Sequence, residues 1–151
     1  MSAFAALLQC LLMLVVGALI PVLAASNAAL SRSVGGIAWP SVILFALALL
    51  TALAFTALTR APLPETSAFA NAPRYGYIGG LIVASYVLSI TYFGPKIGVG
   101  TAIMFVVAGQ ILSAALIDHF GLLNAAISQF TPRRLTGVVL MLVGVFLARK
   151  I

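Results

Sequence analysis

Polar side chains are scarce here, so each one inside an apolar run raises the question of what it bonds to. Gln110 stands near the middle of the uncharged stretch from Ile97 to Ile117. A primary amide is costly in an apolar medium and has no easy local partner, so it is expected to face a neighbouring helix or a cavity where a solute could bond to it. In a second uncharged stretch, Tyr75 to Pro95, residues Ser85, Ser89 and Tyr92 follow i, i+4, i+7 spacing and share one helix face, with Tyr86 beside them. Together with Gln110, the residues Ser85, Tyr86 and Ser89 are candidates to line a path for a polar solute. A serine in a helix more often bonds back to the carbonyl one turn earlier, and Tyr92 also suits an interfacial anchor.

Asp118 and His119 are adjacent at the end of the Gln110 run and are candidates for coupling or interface contacts. Asp118 could pair with Arg133 or Arg134, or with Arg149 or Lys150 of a second copy. Gln9 and Asn27, further candidates for coupling or interface contacts, lie five helical turns apart and would share a face of one straight helix, each near an end where interfacial water can also satisfy it. There is no Gly-rich phosphate loop, no Cys pair, no HExxH and a single His, so neither an enzyme nor a metal site nor a cofactor is expected. Glu65 and Asp118 are the only acids. Proton coupling through a carboxylate in mid-membrane is therefore not expected.

The elements that must hold these residues follow from the charges. Eight basic and two acidic residues among 151, with 64% hydrophobic, cannot cover a soluble fold, in which about a quarter of residues are charged. Four stretches contain no charge, Met1 to Ser31, Ser33 to Thr59, Tyr75 to Pro95 and Ile97 to Ile117, each long enough for a helix crossing a ~30 Å hydrocarbon core. Leu135 to Ala148 is shorter, but Arg133 and Arg134 before it and Arg149 and Lys150 after it can snorkel to both interfaces. The expectation is an all-α integral membrane protein, one domain over residues 1–151, with five transmembrane helices at about 4–30, 40–59, 75–93, 97–118 and 134–149. Pro21 should kink the first helix, and Gly94-Pro95-Lys96 should form the turn between the third and fourth. The spacing of Leu122, Leu123, Ala126, Ile127 and Phe130 predicts a short interfacial helix. Gly76 and Gly80, and Gly137, Gly144 and Ala148, read as helix contacts. A net charge of +6 would suggest nucleic acid in a soluble protein, but here the basic residues sit at helix ends as anchors in the lipid bilayer, so no nucleic acid partner is expected.

With five spans, the side of the N-terminus carries Arg60, Arg74, Arg133 and Arg134, and the opposite side carries Arg32, Lys96, Arg149 and Lys150. Four against four leaves no Lys/Arg bias to set orientation, so the chain is expected to insert both ways. Two oppositely inserted copies can pair about a two-fold axis in the membrane plane.

The segments Ala108-Gly109-Gln110-Ile111-Leu112 and Ile117-Asp118-His119-Phe120-Gly121-Leu122 resemble the fourth helix of the YdcZ-type family in the drug/metabolite transporter superfamily. The first helix, with Gly17, Pro21, Asn27 and Leu30, and the last, with Arg134, Leu135, Gly137, Leu140, Gly144 and Val145, resemble the same family. The resemblance covers essentially the whole chain. It implies a multi-pass protein of the bacterial inner (cytoplasmic) membrane, in which five-helix units are half of a ten-helix inverted-repeat transporter and occur as homodimers, paired heterodimers or fusions. Family members often carry Gln where this chain has Leu23, which weakens any transfer of substrate by analogy. The resulting expectation is a secondary transporter subunit for a small organic solute. Its partner is an inverted second copy or a paired homologue, and it works as an antiparallel dual-topology dimer by alternating access. A passive dual-topology channel and a non-transporting membrane interaction subunit are the alternatives.

Overall fold

A computed structural model describes residues 3–129 and 131–148. Arg149 and Lys150, counted above as anchors and charges, and Phe130, the last member of the predicted interfacial pattern, lie outside the described residues. The elements are α1 (Ala3–Val34), α2 (Ala38–Leu58), the short α3 (Thr66–Asn71), a 3-10 turn (Arg74–Ile78), α4 (Gly79–Ile97), α5 (Val99–Phe120), a second 3-10 turn (Leu122–Asn124) and α6 (Pro132–Ala148), with no strand among the described residues. Among the described residues four helical stretches are long and apolar enough to cross a membrane: α1, α2, Arg74–Ile97 and α5. The 17 residues of α6 rise about 25 Å, just short of a ~30 Å hydrocarbon core.

Several boundaries differ from expectation, for local reasons. α1 continues one turn past Leu30 and stops at Gly35, whose φ of 76° belongs to the left-handed region that glycine enters without strain. The third span does not turn at Gly94-Pro95-Lys96. The helix passes through Pro95 to Ile97, and the break falls at Gly98, with φ 88°. A residue before proline normally leaves the helical region because the proline ring crowds its Cβ, and Gly94 has none. Of the short helix predicted after Gly121, residues 122–129 show only the 3-10 turn. Gly121 caps α5 with φ 61°, and Leu123 and Asn124 follow at φ 57° and 62°, so the chain reverses hand instead of starting a right-handed turn.

The chain divides into two compact units, one running up to Pro95 and the other from Lys96. In the first, α1 packs on α2, and the buried positions are mostly small: Ala24, Asn27 and Ala28 on α1, Pro40 and Ser41 on α2. Small side chains let helix backbones approach closely, the usual basis of packing where lipid is as apolar as leucine. α4 buries Val87, Ile90, Thr91 and Gly94, one face by spacing. In the second unit, α5 packs on α6 and on the turn after it, burying Ala102, Ala108 and Ala115. Gly76, Gly80, Gly137 and Gly144, read above as contact points, have open space where a Cβ would stand, so none marks a close helix contact within its own unit.

Gly121 is where a side chain has no room, since an added Cβ would lie 2.7 Å from Cγ1 of Ile127 and the backbone is left-handed. Gly121→Ala is expected to lower stability by about 1 kcal/mol through the backbone alone, with repacking of Ile127 in addition. Gly109→Ala, in mid-helix with open space, should be neutral or stabilising by about 0.5–1 kcal/mol. Thermal unfolding in mild detergent compares them, and equal midpoints would contradict this account of the cap.

Candidate functional site

In the first unit the polar centre is Asn27, 5% exposed and flanked on its helix by Ala24 and Ala28. Its Nδ2 donates to Oγ1 of Thr91 at 2.6 Å, and Thr91 Oγ1 donates onward to the Val87 carbonyl at 2.7 Å. Because the hydroxyl proton is committed to Val87, only its lone pairs face Asn27. That assigns the NH₂ end of the amide to Thr91. Water at the interface is thus not what satisfies Asn27, contrary to the sequence expectation. Small neighbours bring α1 close enough to α4 for a direct bond. Thr91 escaped the sequence reading, which followed Ser85, Ser89 and Tyr92. The signal was nonetheless present, since Val87, Ile90, Thr91 and Gly94 follow i, i+3, i+4, i+7 and end on a glycine.

Asn27 also lines a cleft of about 240 Å³ between α1 and α2, which runs from Leu30 and Pro40 near the connecting turn to Leu23 and Leu47 deeper along both helices. Leu23, where family resemblance would favour Gln, makes part of this wall apolar. Elsewhere in the unit, Ser85 is exposed and bonds back to the Leu81 carbonyl at 2.9 Å. Ser89 lines a shallow depression with Ile37, Leu88, Tyr92 and Phe93. The Tyr86 hydroxyl is buried without a hydrogen-bond partner among the described residues, and Gln9 is exposed. Tyr86 and Ser85 lie halfway along the apolar stretch Arg74–Ile97.

In the second unit Gln110 is exposed and lies at the midpoint of α5. At the end of that helix, Asp118 pairs with Arg134 of α6 at 2.5 Å, both side chains about one-third exposed. Arg134 also donates to the Ser128 carbonyl at 3.1 Å and hydroxyl at 2.9 Å, while the Ser128 N–H donates to the Asp118 carbonyl at 2.8 Å. Thr131 begins α6, its hydroxyl accepting the Arg134 N–H, with Pro132 in the first helical position where no N–H is needed. The guanidinium fork thus ties α5, the connecting loop and α6 together. His119 packs edge-on against Phe120 with ring centroids 4.7 Å apart. Among the described residues no three His, Cys, Asp or Glu side chains are grouped to hold a metal ion.

The family described as "Putative inner membrane exporter, YdcZ" matches residues 8–147. No curated protein and no solved structure matches the chain.

Asn27 and Thr91 are expected to be coupled in stability. A double-mutant cycle with Asn27→Ala and Thr91→Val, read by unfolding in detergent, should give an interaction of about 0.6 kcal/mol and at most ~1.7. Strict additivity would show the bond to be absent in the folded membrane protein. Arg134→Ala should speed hydrogen exchange at the Ser128 amide while leaving amides in the middle of α2 unchanged.

Proposed function

Because the chain belongs to the YdcZ family of the drug/metabolite transporter superfamily, we propose that it is a secondary transporter subunit for a small organic solute, working as an antiparallel dual-topology dimer by alternating access. The observation that carries this reading is the exposure of Gln110 halfway along the 22-residue α5. An amide facing hydrocarbon without a partner costs about 1–3 kcal/mol or more, so a membrane-embedded Gln110 calls for a second protein surface or a solute.

An antiparallel pair supplies that surface. A two-fold axis in the membrane plane brings only midplane positions into register with themselves, and Gln110 is the polar residue nearest the centre of α5. Ser85, Tyr86 and Ser89 join the solute pathway in this reading by their depth along their own helix. α6 counts as the fifth span, with Arg133 and Arg134 snorkelling at its start, and an odd number of spans places the termini on opposite sides. The balance of four basic residues on each side then permits both orientations. Interchanging the conformations of two identical copies turns an inward-facing dimer into an outward-facing one, so without ligand or membrane potential the two states have equal energy.

Orientation can be biased from either side. Ser67→Lys with Ala70→Lys loads the exposed loop between α2 and α4, and Ser33→Lys with Gly36→Lys loads the opposite turn. Each doubly substituted copy is expected to insert one way and to lose solute counterflow in proteoliposomes, and coexpression of the two should restore it. Conductance without exchange would instead indicate a passive channel, and full counterflow by either copy alone would refute the dual-topology dimer.

A further inference from the structure

We propose that the cleft between α1 and α2 is a binding subsite for a neutral, largely apolar solute of about one fused ring system that carries an N–H or O–H donor, and that Asn27 Oδ1 is the group that accepts it. The proposal rests on the transporter reading for its physiological meaning, and on the geometry of the first unit for its chemistry.

Size comes first. A cavity of about 150 Å³ holds one benzene ring, so about 240 Å³ takes a ring system with a few further atoms. The walls are mainly aliphatic, from Leu23, Leu30, Ile43, Leu44 and Leu47, with Ser26 the one other polar residue beside Asn27, and none of the lining residues is charged. A cation or anion placed there would find no counter-charge, which selects a neutral occupant.

Asn27 supplies the polar recognition. One end of its amide is tied to Thr91, whose proton is in turn committed to Val87. The relay holds the amide plane still, and no described residue donates to Oδ1. Asn27 lines the cleft, so a donor held there can reach this oxygen, and in an apolar cleft an acceptor left without a donor is unfavourable. An apolar isostere lacking the donor leaves that cost in place, and sites built to bond an N–H or O–H discriminate in this way. Position supports access from the membrane surface. The cleft starts at Pro40, next to the exposed Trp39, and reaches Leu47 near the middle of α2. A solute therefore meets Asn27 on its way from the interface to mid-membrane.

Indole and 1-methylindole are the probes, similar in size and neutral, with only the first carrying an N–H. Equilibrium dialysis against the full chain in lipid nanodiscs, corrected for empty nanodiscs, should show indole bound at least fivefold more tightly than 1-methylindole. Asn27→Leu should erase that ratio. Leu44→Trp, which fills the cleft while leaving Asn27 and Thr91 unsubstituted, should abolish both. Equal binding of the two probes by the unmodified protein, as a lipid-facing groove would give, or binding that survives Leu44→Trp, overturns the proposal. Binding in the expected pattern without indole counterflow upholds the cleft and counts against the transporter reading. Counterflow of indole that ignores Leu44→Trp does the reverse.

Discussion

In hydrocarbon a polar group has no water to fall back on, and the structure is arranged around that cost. The backbone answers with helices. Hydroxyls answer by bonding back along their own helix: Ser41 to Ile37, Thr51 to Leu47, Thr59 to Phe55 and Thr136 to Pro132, each at 2.8 Å. Asn27 cannot do this and reaches across to Thr91, which fixes where α1 and α4 approach. Two polar groups in mid-span are left without such a local solution: Gln110, exposed on α5, and the Tyr86 hydroxyl, buried without a partner among the described residues. The transporter proposed above gives those two residues their partners in a second copy or a solute.

The same constraint explains how much was legible beforehand. Four spans could be read from charge-free stretches, since no chain crosses a membrane with its charges unpaired, and the family likeness lay in side chains visible without a structure. Backbone hand was harder. Gly94-Pro95 looks like a turn, yet Gly94 relieves the crowding that makes proline break a helix, and the break moved to Gly98. The apolar pattern after Gly121 has helical spacing, but Ile127 folds back on the cap and Leu123 and Asn124 take left-handed angles that spacing does not encode. The Asn27 and Thr91 pair spans 64 residues and depends on the rotational phase of two helices, which periodicity leaves open within about one position. Asp118 with Arg134 was within reach, because opposite charges at neighbouring helix ends have few other choices.

The two units divide the work accordingly. The first offers a cleft whose single buried amide is held by a relay of two hydrogen bonds. The second is a helix pair whose connection is tied by Arg134, an interaction that partial exposure limits to a modest stabilising role but that places α6 firmly against α5. In a multi-pass inner-membrane protein of this size, helix packing and the recognition proposed above draw on the same few polar side chains.

The central claim is that two copies meet antiparallel with Gln110 at the axis, and site-directed crosslinking tests it most directly. In a Cys10→Ser background, Gln110→Cys should crosslink to itself in native membranes. A copy carrying Gly100→Cys should crosslink to a copy carrying Phe120→Cys, these positions lying ten residues to either side of Gln110 on α5. Neither of the last two should crosslink to itself. Self-crosslinking at both ends of α5, with no bond between Cys at position 100 and Cys at position 120, would mean a parallel pair and contradict the account.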